Sequence, residues 1–155
     1  MIRKRHVMGI AGGGLIAATL DIIYAMIMTT LAGYGPLAAM RGVASGLIGS
    51  AAFQEGIATA ALGLLLHCMI LIVAAAIYYA ASRRLPPLRN RAVICGLLFG
   101  VLVYLFMHFV VVPLSAVPFT MSHTPWKLLQ GFASHGILVG LPIALMIRRF
   151  SDRKN

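Results

Sequence analysis

The sequence predicts an all-α membrane protein, a four-transmembrane-helix bundle plus one outer interfacial or re-entrant helix. Three observations predict it. The 155-residue chain is 61% hydrophobic and only 10% charged, where a soluble domain of this length carries about a quarter charged residues. Its mean hydropathy is +0.95. Its basic residues gather into three clusters separated by apolar runs of bilayer-crossing length. A fold in water has too little interior to hide that much apolar surface, so lipid is the expected solvent and 1–155 the expected single membrane domain.

The first run, 7–32, is long enough at about 1.5 Å per residue to cross about 30 Å of hydrocarbon. Its basic front edge resembles a signal peptide, but Asp21 interrupts the apolar stretch and the run continues too far, so it reads as a retained span. Gly33, Tyr34, Gly35 and Pro36 then break the helix. Further spans are expected over 57–81, over 92–112 with a stop at Pro113, and over 126–147, with Trp126 and Lys127 as interfacial anchors.

The segment 36–53 is apolar enough to suggest a fifth crossing, yet it contains Arg41 and is rich in glycine and alanine. Parity decides against it. The clusters Arg3/Lys4/Arg5, Arg83/Arg84/Arg89/Arg91 and Arg148/Arg149/Arg153/Lys154 share one side only with four spans. The positive-inside tendency makes that side cytoplasmic, with both termini, and a bacterial-type inner membrane is the expected host. The segment is therefore expected to lie at the outer interface or to re-enter. Ala38, Gly42, Gly46 and Ser50 form its small-residue ridge for packing on the bundle.

The net charge of +10 does not imply nucleic acid, because the basic residues sit at membrane-flanking positions rather than along a groove. Anionic headgroups at the cytoplasmic face are the expected partners of those clusters. Cys68 and Cys95 lie at different depths, which excludes a disulfide. With three acidic residues in the chain, paired-carboxylate catalysis is excluded, and no phosphate loop, nucleophile elbow or H-E-x-x-H is present. Gly12-Gly13-Gly14 falls inside the first span, where close helix packing accounts for it. No catalytic residue is expected.

Four ionisable residues fall within the expected spans: Asp21, His67, His108 and His135. A charged aspartate at mid-membrane costs about 2.5–3.5 kcal/mol on insertion scales, so such groups face the bundle interior. Small residues place them there. Gly9, Gly13, Ala17, Asp21 and Ala25 share one stripe; Gly56, Ala60, Gly63, His67 and Ala74 share another; Gly96, Gly100, Tyr104 and His108 form a third. Gly131 and His135, with Ser134 beside them, form the fourth. Counted at about 1.5 Å per residue, Asp21, His67 and His135 lie about 14–17 Å below the outer surface and His108 about 6–8 Å. Gln130, Tyr104, Glu55, Lys127 and His123 continue a polar path outward, and the cytoplasmic half holds no comparable group.

The leading functional expectation is a proton-titratable site at Asp21, His67 and His135, open to the outer side and serving transport or permeation of a small solute or ion. Histidine titrates near neutral pH, which suits it to that role. A bundle this small has little room for two gates, so a homo-oligomer is the expected working form. Two alternatives stand beside it. His67 and His135 are candidate axial ligands for a b-type haem, each four residues after a glycine that leaves room for a macrocycle. The same two histidines with Asp21 have the ligand chemistry for a bare metal ion, without close spacing. The other alternative is an accessory subunit whose polar groups only tie helices together.

Leu20-Asp21-Ile22, Ala44-Ser45-Gly46 with Gly49, Gly63 with His67, and Val112-Pro113-Leu114-Ser115 together resemble a group of small four-span bacterial inner-membrane proteins with no assigned activity. The resemblance covers most of the chain and implies four spans. It also implies amide side chains at the positions of His67 or His108 in similar chains, which weighs against haem and leaves Asp21 the steadier site residue.

Overall fold

A computed structural model describes residues 2–54, 56–120 and 123–151, with side chains from 5 to 150. Every regular element among them is helical. Helix α1 (Ile2–Leu31) ends where Gly33 (φ 86°) and Gly35 (φ 79°) take up the left-handed backbone that side-chain-bearing residues avoid. Helix α2 (Leu37–Ile48) follows Pro36 and passes into a 3₁₀ turn, Gly49–Phe53. Helix α3 (Ile57–Arg84) stops ahead of Pro86-Pro87. There the Tyr78 hydroxyl donates to the Leu88 carbonyl at 2.8 Å and fastens the short helix α4 (Pro87–Asn90).

Helix α5 (Ala92–Phe106) continues through a π-helical turn, Met107–Val111, into α6 (Val112–Leu114). Helix α7 (Pro125–Ser134) continues through a second π turn, His135–Gly140, into α8 (Leu141–Ser151). Each π turn ends two residues before a proline, Pro113 or Pro142. A proline ring clashes with the carbonyl four residues back, here Phe109 and Leu138, and a turn widened to i→i+5 relieves that clash without ending the helix. The third span accordingly runs past Pro113 instead of stopping there.

Four stretches are long and apolar enough to cross a membrane: Arg5–Leu31, Ile57–Arg84, Ala92–Leu114 and Pro125–Phe150. Around the bundle their order is second, first, fourth, third, because α1 packs on α3 and α8, and α8 packs on α5. The second and third, though consecutive in sequence, meet at Tyr78 and Phe99 (ring centroids 5.0 Å) and otherwise flank an apolar groove of about 560 Å³. The basic ends gather at one end of the bundle: His6 lies 5.2 Å from the Tyr79 ring, His6, Arg83 and Arg89 line one cleft, and Phe150 packs on Gly9.

Near that basic end the interior is dry and made of small and branched residues, Ala17, Ala18, Leu71, Ala75, Val139, Ile143 and Ala144. Glycine permits the closest approaches. Gly13 lies under Ile143, Gly96 under Ala144 and the Gly140 carbonyl, and Gly100 against the carbonyl of His135. The glycine triplet serves two neighbours, with Gly12 and Gly13 facing the fourth span and Gly14 facing Ile72 of the second. Two packing expectations are corrected. Gly42 faces open space, because the close approach between α2 and α3 is made by Gly63 against the Met40 carbonyl and the Ala44 amide; Ala44 and Ser45 are the buried residues of α2, not the Gly42 ridge. Gly46 makes only ordinary contact with Ser115, and Gly56 is an exposed helix cap.

Candidate functional site

Asp21 is the one acidic residue among the described residues, and the fold buries it: α1 turns it inward with Ala17 and Ala18, leaving it 9% exposed. Its partner is His67 of α3, with Nε2 3.7 Å from Asp21 Oδ2. The same Nε2 lies 3.2 Å from the Ala18 carbonyl. A carbonyl can only accept, so Nε2 carries a proton and points it into the space between the first two spans. His135 enters from the fourth span, half-buried, with its ring against Tyr104. Of the three residues expected at one depth, Asp21 and His67 are thus paired directly, and His135 approaches from a third helix.

His135 opens the second π turn, where its Nδ1 lies 3.3 Å from Ser134 Oγ. Its ring meets the Tyr104 ring edge-on at 5.0 Å, and Tyr104 stacks on His108 at 5.1 Å on its other side. His108 in turn lies 4.9 Å from His123, which is exposed at the end of the bundle away from the basic clusters. His108, higher in the bundle than the other three, is therefore tied to them through Tyr104. The packing at Gly131 makes this possible, since a side chain there would occupy the place of the Tyr104 ring.

Beside this string is a cavity of about 220 Å³ lined by Tyr24, Tyr104, His108, Lys127, Gln130 and Ser134, among others. Gln130 Nε2 donates to the Tyr24 hydroxyl at 2.7 Å. His108 is 4% exposed, yet neither ring nitrogen has a hydrogen-bond partner among the described residues. Of the residues expected to carry a polar path, Tyr104, Gln130, Lys127 and His123 lie here; Glu55 lies outside the described residues. Tyr24 was not singled out from sequence, although it stands one helical turn from Asp21 on α1.

Haem does not fit. The room expected beside Gly63 is filled by the backbone of α2, and that beside Gly131 by the Tyr104 ring. His67 Nε2 is directed at the Ala18 carbonyl and Asp21 instead of an open slot. A bare metal site is likewise not formed: among the described residues no three His, Cys, Asp or Glu side chains converge to hold an ion. Cys68 and Cys95 are free thiols. No family model, curated protein or solved structure matches the chain.

Proposed function

We propose that this is a multi-pass protein of a bacterial-type inner membrane, with its basic end and both termini cytoplasmic. In this reading it takes up protons from the outer side at the Asp21–His67–His135 cluster and couples them to passage of a small solute or ion. The observation that carries this is the string from His123 through His108, Tyr104 and His135 to the buried Asp21–His67 pair. These rings meet by stacking and edge-on contact at about 5 Å, so in this reading they must turn to hand a proton on; intramembrane ionisable residues mark such routes.

The bilayer assignment is supported by the surface. Large apolar side chains such as Leu15, Ile23, Leu65, Val73, Leu98 and Leu102 are 40% or more exposed along the four long helices, which suits lipid and not water. The orientation rests on the basic clusters, and anionic headgroups are their expected partners. Towards the basic end the string meets the apolar packing of Ala17, Ala18, Leu71 and Val139. Protons therefore reach the cluster from one side only, and passage onward needs a rearrangement or a second copy of the chain.

Purified protein in liposomes with a trapped pH indicator tests the reading. Wild type is expected to acidify the lumen when the outside is made acidic, and Asp21→Asn to lower that rate at least ten-fold. His67→Gln, which keeps a hydrogen-bond donor, is expected to act in the same direction and guards against a folding defect in the first variant. Liposomes as tight with wild type as without protein would favour an accessory subunit instead.

A further inference from the structure

The cavity beside His108 has a composition that the proton string does not need. Among the described residues its one charged lining residue is Lys127, and no carboxylate lines it. The Tyr24 hydroxyl accepts the Gln130 amide proton and keeps its own to donate. His108 is 96% buried, with neither nitrogen partnered among the described residues. An unmet imidazole in so buried a place costs free energy unless something bonds to it. A lysine, a phenol hydroxyl and, behind them, a buried imidazole around one space form a site for an anionic oxygen group, phosphate or carboxylate.

The cavity adjoins another on the side of the fourth span, across the bonded Gln130 and Tyr24 side chains. Tyr24, Gln130 and Ser134 are shared with a second, larger groove of about 630 Å³ whose other walls are apolar, Trp126, Leu129, Ile137 and Leu138 among them. A free anion has no use for that wall, whereas a hydrocarbon chain does. We propose that the two form one site for an anionic amphiphile of the outer leaflet. Its phosphate or carboxylate head lies at Lys127, Tyr24 and His108, and its chain lies along Trp126 and Ile137.

The site shares His108 with the proton string but does not rest on that reading, and Asp21 takes no part in it. Trp126 is the chain's one tryptophan and lines the groove, so its emission reports occupancy. The probe is a twelve-carbon carboxylate brominated at its tail, added to protein in a neutral detergent. Saturable quenching is expected, reversed by dodecyl phosphate but not by inorganic phosphate or dodecanol. Lys127→Gln and His108→Ala are each expected to raise the half-saturating concentration about ten-fold or more, with Asp21→Asn binding as wild type. Lys127 is exposed on its helix, so its variant tests the head site even if His108→Ala fails to fold. Two results would overturn the proposal: dodecanol competing as well as dodecyl phosphate, or an unshifted midpoint in Lys127→Gln. Displacement by inorganic phosphate alone would make the cavity a free-anion site and remove the amphiphile.

Discussion

Between Gly13 and Tyr24 the first span passes from one kind of interior to another, and the contrast separates what holds the bundle together from what it is for. At Gly13 its neighbour is the backbone of Ile143, and the surroundings are alanine, valine and isoleucine packed without polar atoms. Three turns later Tyr24 borders a cavity and is bonded to Gln130 of the fourth span. Near the basic end glycines let helix backbones meet closely, as at Gly13 against Ile143 and Gly96 against Gly140. In the polar half contacts are side chain to side chain, through rings and hydroxyls that can turn. Close packing of small residues carries the fold at one end, and polar side-chain contacts occupy the other.

The largest expected effect tests the first half of that contrast. A Cβ at Gly140 would fall on the Gly96 carbonyl and the Gly100 backbone, neither of which can move without parting two helices. Gly140→Ala is expected to cost about 3 kcal/mol or more, at the upper end for overpacking, seen as loss of folded monomer in detergent. Gly131→Ala meets the Tyr104 ring instead, a side chain that can swing aside. If the two variants were equally damaging, the distinction between the closely packed end and the polar one would fail.

A smaller effect tests the polar half. Asp21 and His67 are both nearly buried, and each removes part of the other's desolvation cost. In a double-mutant cycle of Asp21→Asn and His67→Gln, the single variants are expected to lose about 1–3 kcal/mol each. The pair should lose less than their sum, by about 1 kcal/mol, as read from denaturant unfolding in mixed micelles. Strict additivity would mean that the two groups do not interact, and the proton site would lose its centre.

Much of this arrangement was legible in the sequence because a membrane span is a nearly uniform apolar background. Against it, a polar or small residue repeated every fourth position marks a face, which is why Asp21, His67, His108, Tyr104 and His135 could be assigned to the interior. The widened turns left no such mark, since an i→i+5 turn changes backbone spacing without changing composition. Pro113 and Pro142 were the available clue: a proline inside a span needs its preceding turn relaxed, and in both cases the relaxed turn holds one of the histidines. Gly14 was assigned to packing with its triplet, whereas Gly140 was not, because it falls off the regular stripes on a face met by a neighbouring helix.

The smallest expected effect concerns the one ridge that was misplaced. Small residues permit a close approach but do not require it, and between α2 and α3 the permission comes from Gly63. Gly42 then has no packing duty: nothing lies within 4 Å of where its Cβ would be, and it sits in the middle of α2 with ordinary helical geometry. Glycine in a helix interior is less favourable than alanine by about 0.5–1 kcal/mol through backbone entropy. Gly42→Ala is therefore expected to stabilise the protein by about that amount, measured as a raised melting temperature in the same detergent that reports the loss for Gly140→Ala. A destabilising Gly42→Ala would mean that α2 meets a surface beyond this chain, and the ridge of Ala38, Gly42, Gly46 and Ser50 would then belong to a contact between copies.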